Sequence, residues 1–128
     1  MKKLLLFLVL AAGLLLQSCT EETPCPEIQI KLIKKDIDGF ISYSEILEGQ
    51  TLISRQDVDY GFVITHQENY TIYITCRNLD NPEQIWCDEQ FHVENGGQQS
   101  VYFGNPSNAS IYISVVGCYE TDYTIYMQ

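Results

Sequence analysis

The chain has 128 residues, of which seven are basic and 17 acidic, for a formal net charge of −10. That balance lacks the basic footprint a nucleic-acid binder needs, suits solubility or cationic partners instead, and comes with a length that fits one domain of ordinary size. Aromatic side chains are plentiful, with nine tyrosines but a single tryptophan, Trp86.

Met1-Lys2-Lys3 places positive charge ahead of an almost unbroken apolar run from Leu4 to Leu16. The run is short for a bilayer span of about 20 residues and has the length and flanks of a signal-peptide core. It ends in Leu16-Gln17-Ser18-Cys19, which resembles the bacterial lipobox, with Gln17 looser than the small residue usual there. The resemblance implies that residues 1–18 are a cleaved lipoprotein signal peptide and that Cys19 carries the acyl chains. One acyl chain binds a membrane only marginally, and the triacyl cysteine of that family exceeds this. Residues 19–26 then form the lipidated cysteine and a short polar tether. Glu21-Glu22 within it resembles the surface-export signals of Bacteroidota lipoproteins. The expected address is the cell envelope, with the outer membrane as the partner held through Cys19, on its surface or its periplasmic face.

All 17 acidic residues follow Cys19, against five basic ones: Lys31, Lys34, Lys35, Arg55 and Arg77. Through residues 27–128 the apolar side chains recur with period two, the strand signature. Ile28, Ile30 and Leu32 alternate with polar neighbours, as do Val58, Tyr60, Phe62 and Ile64, then Tyr70, Ile72, Ile74 and Cys76. The pattern returns at Ile111, Ile113 and Val115 and at Tyr123, Ile125 and Met127. Shorter candidates lie at 40–44, 51–53, 85–93 and 99–103, and Ser42–Gly49 offers a short helical turn. Turn residues punctuate them at Asp36-Ile37-Asp38-Gly39, Glu48-Gly49, Asn81-Pro82, Asn95-Gly96-Gly97 and Gly104-Asn105-Pro106. About eight or nine such strands predict a single antiparallel β-sandwich, jelly-roll or Ig-like, over residues 27–128.

With Cys19 lipidated, Cys25, Cys76, Cys87 and Cys118 remain, an even number that in an exported chain predicts two disulfides in one of three connectivities. A hairpin centred on Asn81-Pro82 sets Cys76 opposite Cys87, Ile72 opposite Phe91 and Tyr70 opposite Val93, so the apolar positions share a face as a consistent register requires. Ile74 then faces Glu89, and a bulge in the second strand is expected there. By elimination Cys25 joins Cys118 and ties the two ends of the domain. Chain entropy gives about 3 kcal/mol for the short loop and about 5 kcal/mol for the long one. No C-x-x-C spacing suggests zinc, and no metal or other cofactor is expected.

Two stretches are similar to the bacterial pre-peptidase C-terminal domain. The first is Asp59-Tyr60-Gly61-Phe62-Val63-Ile64 with Tyr70-Thr71-Ile72-Tyr73-Ile74; the second is Ser110 to Gly117 with Asp122-Tyr123-Thr124-Ile125-Tyr126. The resemblance implies a jelly-roll-like sandwich in a non-catalytic accessory role. The family's Asp-rich strand is replaced by Cys76-Arg77-Asn78-Leu79-Asp80, and no peptidase is expected ahead of the domain.

Catalytic constellations are poorly represented. A nucleophilic triad needs an oriented base, but the two histidines, His66 and His92, lie outside any G-x-S-x-G context. The carboxylate pairs Asp57 with Asp59 and Asp88 with Glu89 are expected by composition in so acidic a chain, although a pair is also what glycoside hydrolysis uses. Asp36-Ile37-Asp38-Gly39 resembles the start of a calcium loop, yet position 12 is Leu47 where a glutamate is required, so a hairpin turn is expected. No enzyme activity is predicted. The outward face of the 70–93 hairpin is the candidate ligand face: Tyr73, Arg77, Trp86, Asp88, Gln90 and His92, with Arg77 across from Trp86 and Tyr73 across from Gln90. Tyr112 and Tyr126 are also expected to point outward. The plainer reading of Arg77 and Trp86 is a structural cation–π pair worth about 0.5–1 kcal/mol. The function expected is a lipid-anchored, non-enzymatic binding or adhesion module for a glycan or protein ligand. Its rivals are a structural subunit of an envelope complex and a small carboxylate-dependent hydrolase.

Overall fold

The computed structural model describes residues 24–128; the expected signal peptide and the acylation site at Cys19 lie outside them. Nine strands follow one another: β1 (Gln29–Asp36), β2 (Ile41–Glu45), β3 (Thr51–Leu52), β4 (Val58–His66), β5 (Tyr70–Asn78), β6 (Ile85–Val93), β7 (Gly97–Gly104), β8 (Ala109–Val116) and β9 (Glu120–Met127). They form a four-stranded sheet of order β2-β1-β4-β7 and a five-stranded sheet of order β3-β9-β8-β5-β6. The protein is therefore all-β, as the alternation predicts. Two expectations are corrected. Ser42–Glu45 is strand rather than a helical turn. The ladders are also not all antiparallel, because β3 pairs parallel to β9, Thr51 opposite Tyr126 and Leu52 opposite Met127. A two-residue strand is too short for its pattern to declare a direction; β3 takes its direction from the Leu47–Gln50 turn, where Gly49 N donates to Thr124 O and Tyr126 N to Gln50 O, both at 2.8 Å.

Both sheets give their alternate residues to one core. Ile30 and Ile64 stand opposite each other in the β1–β4 ladder, as do Leu32 and Phe62; in the other sheet Ile74 is opposite Ile113 and Ile111 opposite Ile125. All eight belong to one buried cluster with Tyr60, Tyr70, Ile72, Cys76 and Met127. Each fully buried aliphatic or aromatic side chain contributes about 1.5–3 kcal/mol relative to exposure, so this shared layer is the main source of stability. Phe103 reaches it through a bulge in β7, where Tyr60 pairs with Gly104 and Gly61 with Tyr102, and packs 5.2 Å from Phe62 between ring centres.

The Asp36–Gly39 motif is a hairpin turn between β1 and β2. Asp36 Oδ1 accepts the backbone N–H groups of Asp38 at 3.0 Å and Phe40 at 2.8 Å, and Gly39 takes φ of 87°, which glycine reaches without a Cβ clash. Cys25 and Cys118 are disulfide-bonded with Cα atoms 5.7 Å apart. That bridge joins the segment entering the four-stranded sheet to the β8–β9 turn of the other, and Tyr119 Oη beside it accepts the Ile28 N–H at 3.3 Å.

Candidate functional site

The β5–β6 hairpin has the register its sequence implies over most of its length. Tyr70 lies opposite Val93, Ile72 opposite Phe91, Tyr73 opposite Gln90, Ile74 opposite Glu89 and Cys76 opposite Cys87. Asn78 shapes the turn by accepting the N–H groups of Asp80 at 2.8 Å and Asn81 at 3.1 Å on Oδ1. The bulge falls elsewhere than expected. Ile74 and Glu89 pair in register, which costs little because β6 is an edge strand and Glu89 stays solvated. The irregularity comes instead after Cys76, where Arg77 pairs with Ile85 and Trp86 is the extra residue. Arg77 therefore does not sit across from Trp86. Its Nη1 donates to Pro82 O at 2.9 Å, so the turn carbonyl captures the guanidinium that an aromatic stack would have used.

Tyr73, Asp88, Gln90 and His92 do share the outward face, and Trp86 in the bulge remains 43% exposed. His92 is set by Thr71, whose Oγ1 lies 3.1 Å from Nδ1, and by Glu94, 3.9 Å from Nε2. Next along the sheet, Tyr112 donates to Asp122 Oδ2 at 3.1 Å and Ser114 to Glu120 Oε2 at 3.2 Å. Tyr112 and Tyr126 lie on the same outward face, half-buried. Burial holds the Tyr112 phenol above its usual range; Asp122 and Glu120 add to the rise and a hydrogen bond with Ser114 opposes it. The face is thus polar, acidic and crossed by aromatic rings. It suits stacking and hydrogen bonding better than acid–base chemistry. Asp88 and Glu89 alternate faces of β6, whereas Asp57 and Asp59 border a shallow hollow with Asp36, where Asp57 pairs with Arg55 at 3.4 Å.

Beneath this face the thiols of Cys76 and Cys87 are in contact, unbonded, with Cys76 buried and Cys87 half-buried. The hydrogen bond with Cys87 and burial push the Cys76 thiol up. Accepting that hydrogen bond pulls Cys87 down against its own burial.

Two features escape the sequence pattern. On the outward side of the four-stranded sheet, Tyr43, Ile33, Gly61 and Tyr102 form one row across four strands. Ile33 and Val63 are buried there, away from the shared core. A Cβ on Gly61 would lie 2.5 Å from Val101 O and 3.0 Å from Tyr102 Cδ1; glycine inside a strand marks such a close approach, and this was the available signal. Lys35 Nζ lies 5.8 Å from the centre of the Tyr102 ring. The second feature is His66, 1% exposed at the end of β4 with both ring nitrogens lacking a partner among the described residues. Its ring meets Tyr70 edge-on at 5.8 Å and lies under Gly117, whose added Cβ would come within 2.7 Å of Nε2. No protein-family model, curated protein or solved structure matches this chain.

Proposed function

We propose that this chain is a lipid-anchored cell-envelope protein, acylated at Cys19 and held at the outer membrane, whose domain is a non-enzymatic binding or adhesion module. The observation that carries the reading is that two aromatic side chains of the β5–β6 hairpin are exposed, Tyr73 at 39% and Trp86 at 43%, on the strands that turn Asp88, Gln90 and His92 outward. Exposed aromatic surface rimmed by polar groups marks interaction sites, and rings with amide and carboxylate neighbours can stack a sugar or seat a peptide side chain. The two sheets are read as a jelly-roll or Ig-like sandwich, in keeping with the accessory role that the pre-peptidase resemblance implies. In the oxidising envelope Cys76 and Cys87 close a second disulfide and stiffen this hairpin. The ligand is a glycan or a protein, and no nucleic acid is bound.

The test begins with acrylamide quenching of Trp86 fluorescence, an unmixed signal because the chain has one tryptophan, followed by glycan and peptide screens read by the same emission. Strong quenching is expected, with a saturable change on ligand addition that Tyr73→Ala abolishes. If Trp86 is shielded in the purified protein, or a stoichiometric envelope protein covers it, the module reading gives way to that of a structural subunit.

A further inference from the structure

The five-stranded sheet is not the only one with an aromatic outer surface. On the four-stranded sheet, Gln29, Lys31, Tyr43, Val63, Thr65 and Gln98 surround a hollow of about 500 Å³, within the span of about 300–1,000 Å³ usual for small-molecule sites. Each wall has a reason to be there. Val63 is the apolar floor, buried yet outside the shared core. Tyr43, on edge strand β2, is 55% exposed and offers a ring face. Gln29, Thr65 and Gln98 form one rung, since Thr65 pairs with Gln29 on one side and Gln98 on the other. None of the three side chains hydrogen-bonds to another described residue.

Charge narrows the ligand. Lys31, Lys34 and Lys35 are the only lysines after the leader, and all three lie on β1. Among the described residues none reaches an acidic side chain at ion-pair distance; the pairs formed are Arg55–Asp57 and His92–Glu94. Lys31 lines the hollow and also a neighbouring one that it shares with Glu27 and Glu45, its cross-strand neighbour, both of which stay beyond ion-pair reach. In a chain with net charge −10, a free ammonium beside an exposed ring and three unpaired hydrogen-bonding side chains is complementary to an anion that also has an apolar face and hydroxyls.

We propose that this hollow is a second binding site, selective for a carboxylated pyranose of an acidic, uronate-containing glycan. The C–H face of the ring stacks on Tyr43 over Val63, the carboxylate meets Lys31, and the hydroxyls pair with Gln29, Thr65 and Gln98. The site lies on the opposite sheet from Trp86, so it stands or falls separately from the β5–β6 reading.

The test uses the full-length chain, expressed with its own leader and purified in detergent, in calorimetric titrations with oligomers of galacturonate, glucuronate and mannuronate. Neutral galactose oligomers of equal length and a short-chain phosphatidylglycerol are the comparison ligands. At least one uronate is expected to bind saturably and more weakly as salt rises. Lys31→Gln should weaken it about tenfold or more, and Tyr43→Ala similarly, with Tyr43→Phe restoring it. Glu45→Gln should strengthen it several-fold by removing a like charge. Melting temperatures of the variants separate lost binding from lost fold. Absence of binding to all three uronates, equal binding of the neutral oligomer, binding of the phospholipid alone, or indifference to Lys31→Gln in a folded protein would each overturn the proposal.

Discussion

The two sheets face one core but treat their outer sides differently. The five-stranded sheet turns hydroxyls, carboxylates and an imidazole outward and satisfies them laterally, through Thr71 with His92, Tyr112 with Asp122 and Ser114 with Glu120. The four-stranded sheet instead buries Ile33 and Val63 on its outward side, Ile33 in the row that ends in Tyr43 and Tyr102 and Val63 on the rung between Lys31 and Ser100. One outer surface is a hydrogen-bonded mesh; the other is a thin second hydrophobic layer. Which side of a strand faces the core therefore does not decide which residues are buried, because an outward position between large neighbours on adjacent strands can be buried as well.

Separating the sheets should have the largest effect. Cys118→Ser opens a bridge with a sequence separation of 93, and chain entropy puts the loss at about 4–5 kcal/mol. A urea titration that found less than about 1 kcal/mol would mean the sheets are held by their core alone. Next is the second layer itself. Ile33→Ala should destabilise by about 3 kcal/mol, as large-to-small changes at buried sites do, while Tyr73→Ala on the other sheet stays within about 1 kcal/mol. Equal losses would erase the contrast.

At the seam between the sheets, Gly117→Ala drives a methyl into the His66 ring and should cost about 2 kcal/mol by overpacking. His66→Phe should be neutral or stabilising by about 1 kcal/mol, because it removes an unsatisfied buried polar group; a marked loss would reveal a partner for His66. Smaller still, Thr71→Val and Tyr112→Phe should each cost less than about 1 kcal/mol, since each removes one exposed hydrogen bond.

The last comparison is by alkali. Burial first, then Asp59 and Tyr43, raise the Tyr102 phenol, and burial leads the rise at Tyr112. Above the unfolded tyrosine value of about 10 the unfolded chain gives up these protons first. It then binds fewer protons than the native state, so stability falls as pH rises through that value and is unaffected below it. Tyr102→Phe and Tyr112→Phe should each flatten the alkaline limb of a stability–pH curve. An unchanged limb for Tyr102→Phe would mean that its phenol is not raised by burial, Asp59 and Tyr43.

Much of this was legible because local pairing and alternation reinforce each other. A short turn at Asn81-Pro82 fixes the β5–β6 register, and the register places Cys76 against Cys87 without any knowledge of the other sheet. Cys25 and Cys118 follow from counting. What stayed hidden depends on partners remote in sequence. Ile33 reads as one more outward position until Tyr43 and Tyr102 arrive from opposite edges. Trp86 slips out of register by one bulged residue, a shift of about the energy of one hydrogen bond that no alternation rule resolves. His66 looks like a strand-end polar residue because its burial comes from the Gly117 turn, fifty-one positions away.

The Cys25–Cys118 bridge also decides how the molecule bears load. A pull applied at the N-terminus enters at Cys25 and divides there, part continuing into β1 and part crossing the sulfurs to the β8–β9 turn. Without the bridge the full force would act on β1 and peel it from β2 and β4 one hydrogen bond at a time. With it, both sheets are tugged together at one corner, and the domain resists as a block rather than as a zipper.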